Sequence, residues 1–332
     1  MDSTIHHRGQ PGRAPAPPAL VDALLDDAGL AGPWTVESVA QVGWINRTTI
    51  VRLADDHRVV VRQYDWPFVE APRYDRRAKE VWLHPRLAAA GVPVADILGV
   101  ADVDGISGAL LSWFPGEPLG VVAQRVGPDA LADAWREAGA ALGRAHGVAV
   151  PGPIAGFLSA EGVLAMPDGS FAGFHRERIA HWSRLLAERQ PDLGIDVARI
   201  DALIAAARPT LEAEPLVLGH SDAHAWNLLV AADADGRWHL SGWLDWEMAW
   251  VGDAAWDHMR MTVQRFAPIG PTPDGWWEGY GGHPPALNLA VAVLHFMLWK
   301  SVDDWDTRDR AVAHAWLADL PAHLSALEAL LP

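Results

Sequence analysis

The first third of the chain strings short apolar, β-branched runs between polar turns. Runs at 34–42, 48–53 and 58–64 have strand character, and Asp55-Asp56 between the last two predicts a hairpin turn. A short helix is expected over 20–28. From 73 to 90 the chain is rich in Arg, Ala, Leu and Glu, with no glycine before Gly91, which predicts a helix that stops there. Strands are expected again at 97–101 and 109–114. Pro115-Gly116-Glu117-Pro118 breaks the pattern and marks a boundary. Beyond it the chain reads mostly as helix, at 128–146, 174–190 and 196–214. Short strands interrupt between 216 and 253, and a Pro- and Gly-rich loop follows at 268–275. These elements predict an α+β molecule with a small sheet lobe over 21–114, a linker at 115–118 and a mainly helical lobe over 119–332. Residues 1–20 are polar and proline-rich and read as a disordered tail.

Composition narrows the chemistry. There are 332 residues, half of them hydrophobic, enough to bury a large core without covalent staples. Cysteine is absent, which excludes disulfides, thiolate catalysis and Cys-built metal sites. Acidic residues outnumber basic ones 42 to 26, a formal charge of −16. That argues against nucleic-acid and anionic-membrane partners, which need basic patches. It is compatible with a cationic small molecule and equally with plain solubility. Lys79 and Lys300 are the only lysines. No apolar stretch reaches the ~18 residues of a membrane span, and the start lacks the apolar core of a signal peptide, so a cytoplasmic protein is expected.

The segment from Leu216 to Asp253 carries the candidate chemistry. Leu228 to Val230 reads as a short strand, Asp233, Asp235 and Gly236 supply a turn, and 238–244 reads as the returning strand. A hairpin sets the residue before its first strand beside the residue after its second. Those residues are Asn227 and Asp245, and Asp222 lies on the loop that feeds the hairpin. Two carboxylates and an amide oxygen at one mouth suit Mg²⁺, a hard cation usually shared with nucleotide phosphates. A carboxylate left off the metal can accept the proton of an attacking hydroxyl.

His220-Ser221-Asp222 with Asn227 resembles the H-x-D-x-x-x-x-N loop of protein-kinase-like enzymes. It is more similar still to the H-G-D-x-H-x-x-N loop of the aminoglycoside phosphotransferase (APH) family of antibiotic kinases, with His224 at the second histidine. Leu244-Asp245-Trp246 resembles that family's I-D-W, and Val251-Gly252-Asp253 with Asp257 resembles its G-D-P-x-x-D. Gly43-Trp44-Ile45-Asn46 resembles its nucleotide loop. Further likenesses lie at Ala90 to Val94, Trp113 to Gly116, Leu142 to His146 and Trp277 to Tyr280, so the resemblance spans roughly 41–280. It implies a protein-kinase-like two-lobed fold, with ATP (or GTP) and Mg²⁺ in the cleft, and transfer of the γ-phosphoryl group to a hydroxyl of a small molecule, an antibiotic. It further implies Asp222 as general base, Asn227 and Asp245 as Mg²⁺ ligands, Arg62 on the phosphates with Glu80 orienting it, and the backbone of Ser112, Trp113 and Phe114 holding adenine. Asn46 would belong to the nucleotide loop.

The chain departs from the family pattern twice. Arg62 stands where lysine is usual, and Ser221 replaces a glycine. Arginine is always charged and grips phosphate bidentately; serine there tests whether the backbone needs a positive φ. His220 reads as structural, His224 as either structural or substrate-facing, and Asp253 and Asp257 as braces of the loop. Trp246, Trp250, Trp276, Trp277 and Trp305 could wall an acceptor pocket, and Asp303, Asp304 and Asp306 form an acidic cluster late in the helical lobe.

Three other readings compete. Leu218 to Ala223 also resembles the nucleophile elbow of a serine hydrolase, with Ser221 attacking and Asp245 or Asp253 and His283 or His295 assisting; the elbow needs a sustained helix after the serine. His220, Asp222 and His224 would share one face of a strand and could form a metallohydrolase site. A catalytically silent, kinase-like binding module is the third.

Overall fold

Strand runs divided by tight turns satisfy their backbone polar groups by pairing with one another. In the N-terminal lobe β1 (Trp34–Val39), β2 (Arg47–Leu53), β3 (Arg58–Gln63), β4 (Ile97–Val103) and β5 (Ile106–Ser112) form an antiparallel sheet in the order β1-β2-β3-β5-β4. This computed structural model describes residues 14–40, 46–64, 75–150, 152, 154–159, 162–166, 169–263, 272–307 and 310–332. Gly43, Trp44 and Ile45 of the expected nucleotide loop lie outside the described residues, as do the side chains of Asp303, Asp304, Trp305 and Asp306. Asp56, in the expected β2–β3 turn, takes a left-handed φ of 64°, a conformation aspartate tolerates better than most residues.

Two helices cover the sheet. α1 (Pro18–Asp27) buries Leu20, Val21, Leu24 and Leu25 against Val51, Val59, Val61 and Leu110. Order thus begins before the end of the tail expected over 1–20. Pro18 occupies the first turn of α1, where a missing N–H costs nothing, and the buried Ala16 donates its amide to Thr49 Oγ1 at 2.9 Å. Residues 1–13 lie outside the described set. α2 (Arg76–Ala89) starts at an Asp75 cap that accepts the Ala78 amide at 2.9 Å. Its buried stripe is Arg76, Lys79, Glu80, Leu83, His84 and Leu87, one face at helical spacing. Leu83 and Leu87 join the core below; the charged members face the cleft.

The linker is itself structured. β6 (Glu117–Pro118) pairs with β10 (Leu228–Ala232), which pairs in turn with β11 (Trp238–Trp243). Gly116, at φ 127°, permits this approach: a Cβ there would lie 2.6 Å from the Val230 carbonyl oxygen. After α3 (Leu119–Val122) come α4 (Ala132–His146), β7 (Gly156–Ser159), β8 (Gly162–Ala165), α5 (Phe171–Arg189), α6 (Val197–Ala213) and β9 (Val217–Gly219). β12 (Trp250–Gly252), α7 (Ala254–Thr262), α8 (Asp274–Tyr280), α9 (Ala286–Thr307), α10 (Arg310–Ala318) and α11 (Leu320–Ala329) complete the lobe. β7 and β8 were not expected from the sequence; they join β12 and β9 in a small antiparallel sheet.

Helix contacts fix the lobe. α4 and α8 meet backbone to backbone, because a Cβ on Gly139 would lie 2.1 Å from the Trp276 carbonyl oxygen and one on Gly279 1.9 Å from that of Arg136. Trp243, Trp246 and Trp276 are fully buried around this contact. They are packing residues rather than the pocket walls expected of Trp246 and Trp276. α5, α6, α9 and α11 close a second core around Ile200, Ile204, Leu294, Leu298 and Leu327.

Candidate active site

Strand alternation aims the first site residue. Val59 and Val61 face α1, so Val60, Arg62 and Tyr64 face the cleft. There the Arg62 guanidinium lies 3.5 Å from Glu80, contacts the Asp245 carboxylate and lies 3.5 Å from Glu247. Glu80 is fully buried and also accepts the Tyr64 hydroxyl. Burial alone would raise its pKa, but Arg62, the neighbouring His84 and the bond from Tyr64 hold it down to about 2. Removing one partner of such a buried pair costs about 3–5 kcal/mol.

A turn of the larger lobe supplies the other half. β11 ends at Trp243, and Asp245 takes a left-handed φ of 71° before a short 3₁₀ turn over Trp246–Met248. That turn sends Asp245 and Glu247 towards the small lobe and Trp246 into the core. Glu247 is nearly fully buried and accepts from Asn46 Nδ2, with Arg76 Nη1 at 3.4 Å. Burial and the neighbouring Asp245 raise its pKa to about 7, against the pull of Arg62. Lys79 is also fully buried, donates to the Ala249 carbonyl at 3.2 Å, and is held well below the usual lysine range by burial.

The loop 220–227 lies between β9 and β10. The hairpin register sets Leu228 opposite Trp243, and the Leu244 amide donates to the Asn227 carbonyl at 2.7 Å. Asn227 and the residue preceding Asp245 are therefore side by side. Asn227 Nδ2 donates to the Asp222 carbonyl at 2.9 Å and sits 3.4 Å from its carboxylate. The other carboxylate oxygen of Asp222 pairs with Arg260, and His224 Nε2 lies 3.4 Å from Asp222 Oδ2. Burial alone would raise the Asp222 pKa, but Arg260 and His224 hold it well below the usual range. Tying Asn227 Nδ2 to Asp222 leaves Oδ1 as the end of the amide able to ligate. With the partly exposed carboxylate of Asp245, it makes an all-oxygen donor set, which fits a hard divalent cation.

The remaining loop residues brace this arrangement. His220 is buried against Trp243 and Trp246; its Nδ1 accepts the Asp222 amide at 3.2 Å and its Nε2 lies 2.8 Å from the Leu244 carbonyl. Those partners require a neutral ring with the proton on Nε2, and burial lowers its pKa accordingly. Asp257 on α7 accepts the amides of His220 and Ser221 at 2.7 and 2.6 Å, and His146 Nε2 is 3.1 Å away. Asp253 caps α7 through Ala255 and accepts from Asn288.

Two competing readings lose their geometry here. Ser221 sits at φ 66° and donates its hydroxyl to the Met248 carbonyl at 2.7 Å, a backbone acceptor rather than a base. Turn and strand follow it instead of the helix an elbow needs. His220 points into the core while Asp222 points to Arg260, so His220, Asp222 and His224 do not share a strand face. Among the described residues no cluster of three or more His, Asp or Glu is built to hold a metal.

On the nucleotide side, Ser112 is spent on Asp96: its amide donates to the Asp96 carbonyl and its hydroxyl accepts the Asp96 amide, both at 2.9 Å. Trp113 lies under Arg58 at 4.8 Å, and Phe114 packs on Gly242 at the base of the hairpin. Sequence reasoning missed Arg76, Lys79, Glu247 and Arg260. The first two carried a signal, being in helical phase with Leu83 and Leu87. Glu247 was marked only as an acid within an otherwise apolar run, and Arg260 by nothing local.

A model of the phosphotransferase enzyme family APH matches residues 37–290. No curated protein matches the chain. Among solved structures, the gentamicin complex of APH(2")-IIa superposes with a TM-score of 0.57 at 12% identity, covering 94% of this chain and 97% of that one. The macrolide 2'-phosphotransferase MphH of Brachybacterium faecium gives 0.52 at 21% identity, with 90% and 98% covered. ADP-bound APH(2'')-Ib gives 0.53 at 13% identity, with 90% and 94% covered. At these identities the superpositions speak for the two-lobed kinase-like fold, and the family match covers most of the chain. The chain belongs to the APH phosphotransferase enzyme family and is a small-molecule kinase.

Proposed function

We propose that the chain moves the γ-phosphoryl group of ATP, or of GTP, onto a hydroxyl of a small-molecule antibiotic. The observation that carries this reading is the convergence of Arg62, Asp245, Asn227 and Asp222 on one hairpin mouth between the lobes. The solved neighbours support the acceptor class, since they include complexes with gentamicin and with streptomycin and ATP.

In this reading Arg62 holds the phosphates, kept in place by Glu80 and charged at every working pH. Trp113 and Phe114 present backbone groups to the base. Asn227 and Asp245 would hold Mg²⁺, which neutralises phosphate charge when bound. Asp245 must then exchange part of its contact with Arg62 for the ion. Asp222 accepts a hydrogen bond from the acceptor hydroxyl and takes its proton as the phosphoryl group transfers. Its depressed pKa keeps it ionised at neutral pH, and its main contribution is alignment of the hydroxyl.

The test is a resistance panel in cells carrying the chain, followed by mass analysis of the protected drug for the gain of one phosphate. Asp222→Asn should lower turnover by about 10²–10⁴. A panel with no protected antibiotic, or an Asp222→Asn enzyme equal to wild type, overturns the reading.

A further inference from the structure

We infer that Arg260 is a positioning residue for phosphoryl transfer, holding the carboxylate of Asp222 in its working orientation; this rests on the phosphotransfer reading above. α7 offers two charged side chains to the loop from one face, three residues apart. Asp257 clamps the loop's backbone through the amides of His220 and Ser221. Arg260, one turn later, clamps the loop's reactive side chain through Asp222 Oδ1.

The rest of the grip comes from the other side. Asn227 Nδ2 and His224 Nε2 both lie 3.4 Å from Asp222 Oδ2, contacts too long to fix the carboxylate plane alone. Arg260 is itself fixed, its guanidinium lying over the Phe296 ring of α9 at 4.8 Å with the side chain 14% exposed. A carboxylate has about four acceptor directions. With one taken on Oδ1 and the contacts of Asn227 and His224 on Oδ2, few remain for an acceptor hydroxyl, and its approach is thereby defined. The guanidinium also balances the charge of Asp222, so the base offers little net attraction to a cationic acceptor. Selection of a cation by the overall charge of −16 would have to come from elsewhere on the surface.

The test is a mutant cycle on the full chain. Arg260→Met keeps a stem packed on Phe296 and removes the fork; Arg260→Lys keeps the charge. Each is made alone and with Asp222→Asn, and Mg·ATP turnover is measured with gentamicin and with water as acceptor. Arg260→Met should lower kcat by about 10²-fold, the cost of a misplaced reacting group, with KM for ATP unchanged. Arg260→Lys should recover part of the loss. In the Asp222→Asn background, Arg260→Met should cost almost nothing, because residues acting as a unit are not additive. An equal factor in both backgrounds, or a lowered melting temperature with kcat unchanged, overturns the inference. An Asp222→Asn chain as active as wild type sinks the phosphotransfer reading instead, so the two failures are told apart.

Discussion

Two buried polar regions of the molecule answer the same problem differently. At the cleft, Arg62 and Arg76 are packed among Glu80, Asp245 and Glu247, and burial is offset by opposite charge. Behind the loop 220–227, His175 and His295 share a hydrogen bond, Nδ1 to Nδ1 at 3.0 Å, inside a box of Phe171, Phe174, Trp250 and Trp256. There burial has driven both imidazoles to the neutral form, His175 with a pKa of about 3. The cleft retains charge against the cost of desolvation, and a phosphate needs that charge. The aromatic box has discarded it and serves packing alone. Retained charge under burial, rather than polarity under burial, separates the site from its support.

The largest break in that contrast is Arg62→Met. It removes the cation facing three carboxylates, and the chain should lose about 3–5 kcal/mol of stability together with nucleotide turnover. Arg62→Lys should fold close to wild type and turn over more slowly, since one ammonium cannot fork between Glu80 and Asp245. Chemical melts and steady-state kinetics of the two variants check this; a Met variant as stable as wild type would mean the cluster is solvated.

The aromatic box should be felt through pH. Its histidines have pKa values lowered below the unfolded value of about 6.5, so the native chain binds fewer protons than the unfolded chain. Stability is then fully present above that pH and falls as pH drops through the window from about 6.5 to about 3. Glu80 works lower down: its depressed pKa contributes stability that is lost only as pH falls from about 4.3 towards about 2. Replacing both histidines by leucine should therefore flatten the dependence by about 1.4 kcal/mol per pH unit at about pH 6.5, where each unfolded imidazole is half protonated, and by about 2.7 near about pH 5. Removing both partners together avoids leaving one buried nitrogen unpaired. Melts at pH 7.5, 6 and 5 read the slope, and an unchanged slope would show that the pair does not carry it.

The sheet lobe and the hairpin were legible because their signals are local. β-branched runs, turn pairs at Asp55-Asp56 and Asp233 to Gly236, and the stop before Gly91 act over a few residues. The meeting of Asn227 with the end of β11 followed from hairpin register alone. What stayed hidden is tertiary. Glu80 looks like a solvated helix residue until Arg62 is placed beside it, although its phase with Leu83 and Leu87 already put it on the buried stripe. The His175–His295 pair joins residues 120 apart on α5 and α9, with no spacing to announce it. β7 and β8 are four residues each; β7 owes its form to pairing with β12, and β8 to pairing with β7. Pro18 was read as tail because the segment around it is polar and proline-rich, whereas at the first turn of a helix proline is favoured.

Ser221 marks the seam between the two regions, and its replacement is expected to have the smallest effect. Its amide is held by Asp257 on the cleft side, and its carbonyl accepts the Trp256 indole of the aromatic box at 3.1 Å. Both contacts are backbone, so Ser221→Gly keeps them. The change relieves a left-handed φ of 66°, worth about 1–2 kcal/mol for a residue with a Cβ. It removes the hydroxyl bond to Met248, worth about 0.5–1.5 kcal/mol, and loosens the unfolded chain by a further fraction. The terms nearly cancel, so melting temperature and kcat should both stay near wild type. Ser221→Ala keeps the strain and loses the bond, and should be the less stable of the two. If instead Ser221→Gly abolishes turnover, the hydroxyl does chemistry, and the division between a charged cleft and a neutral support fails at the one residue that touches both.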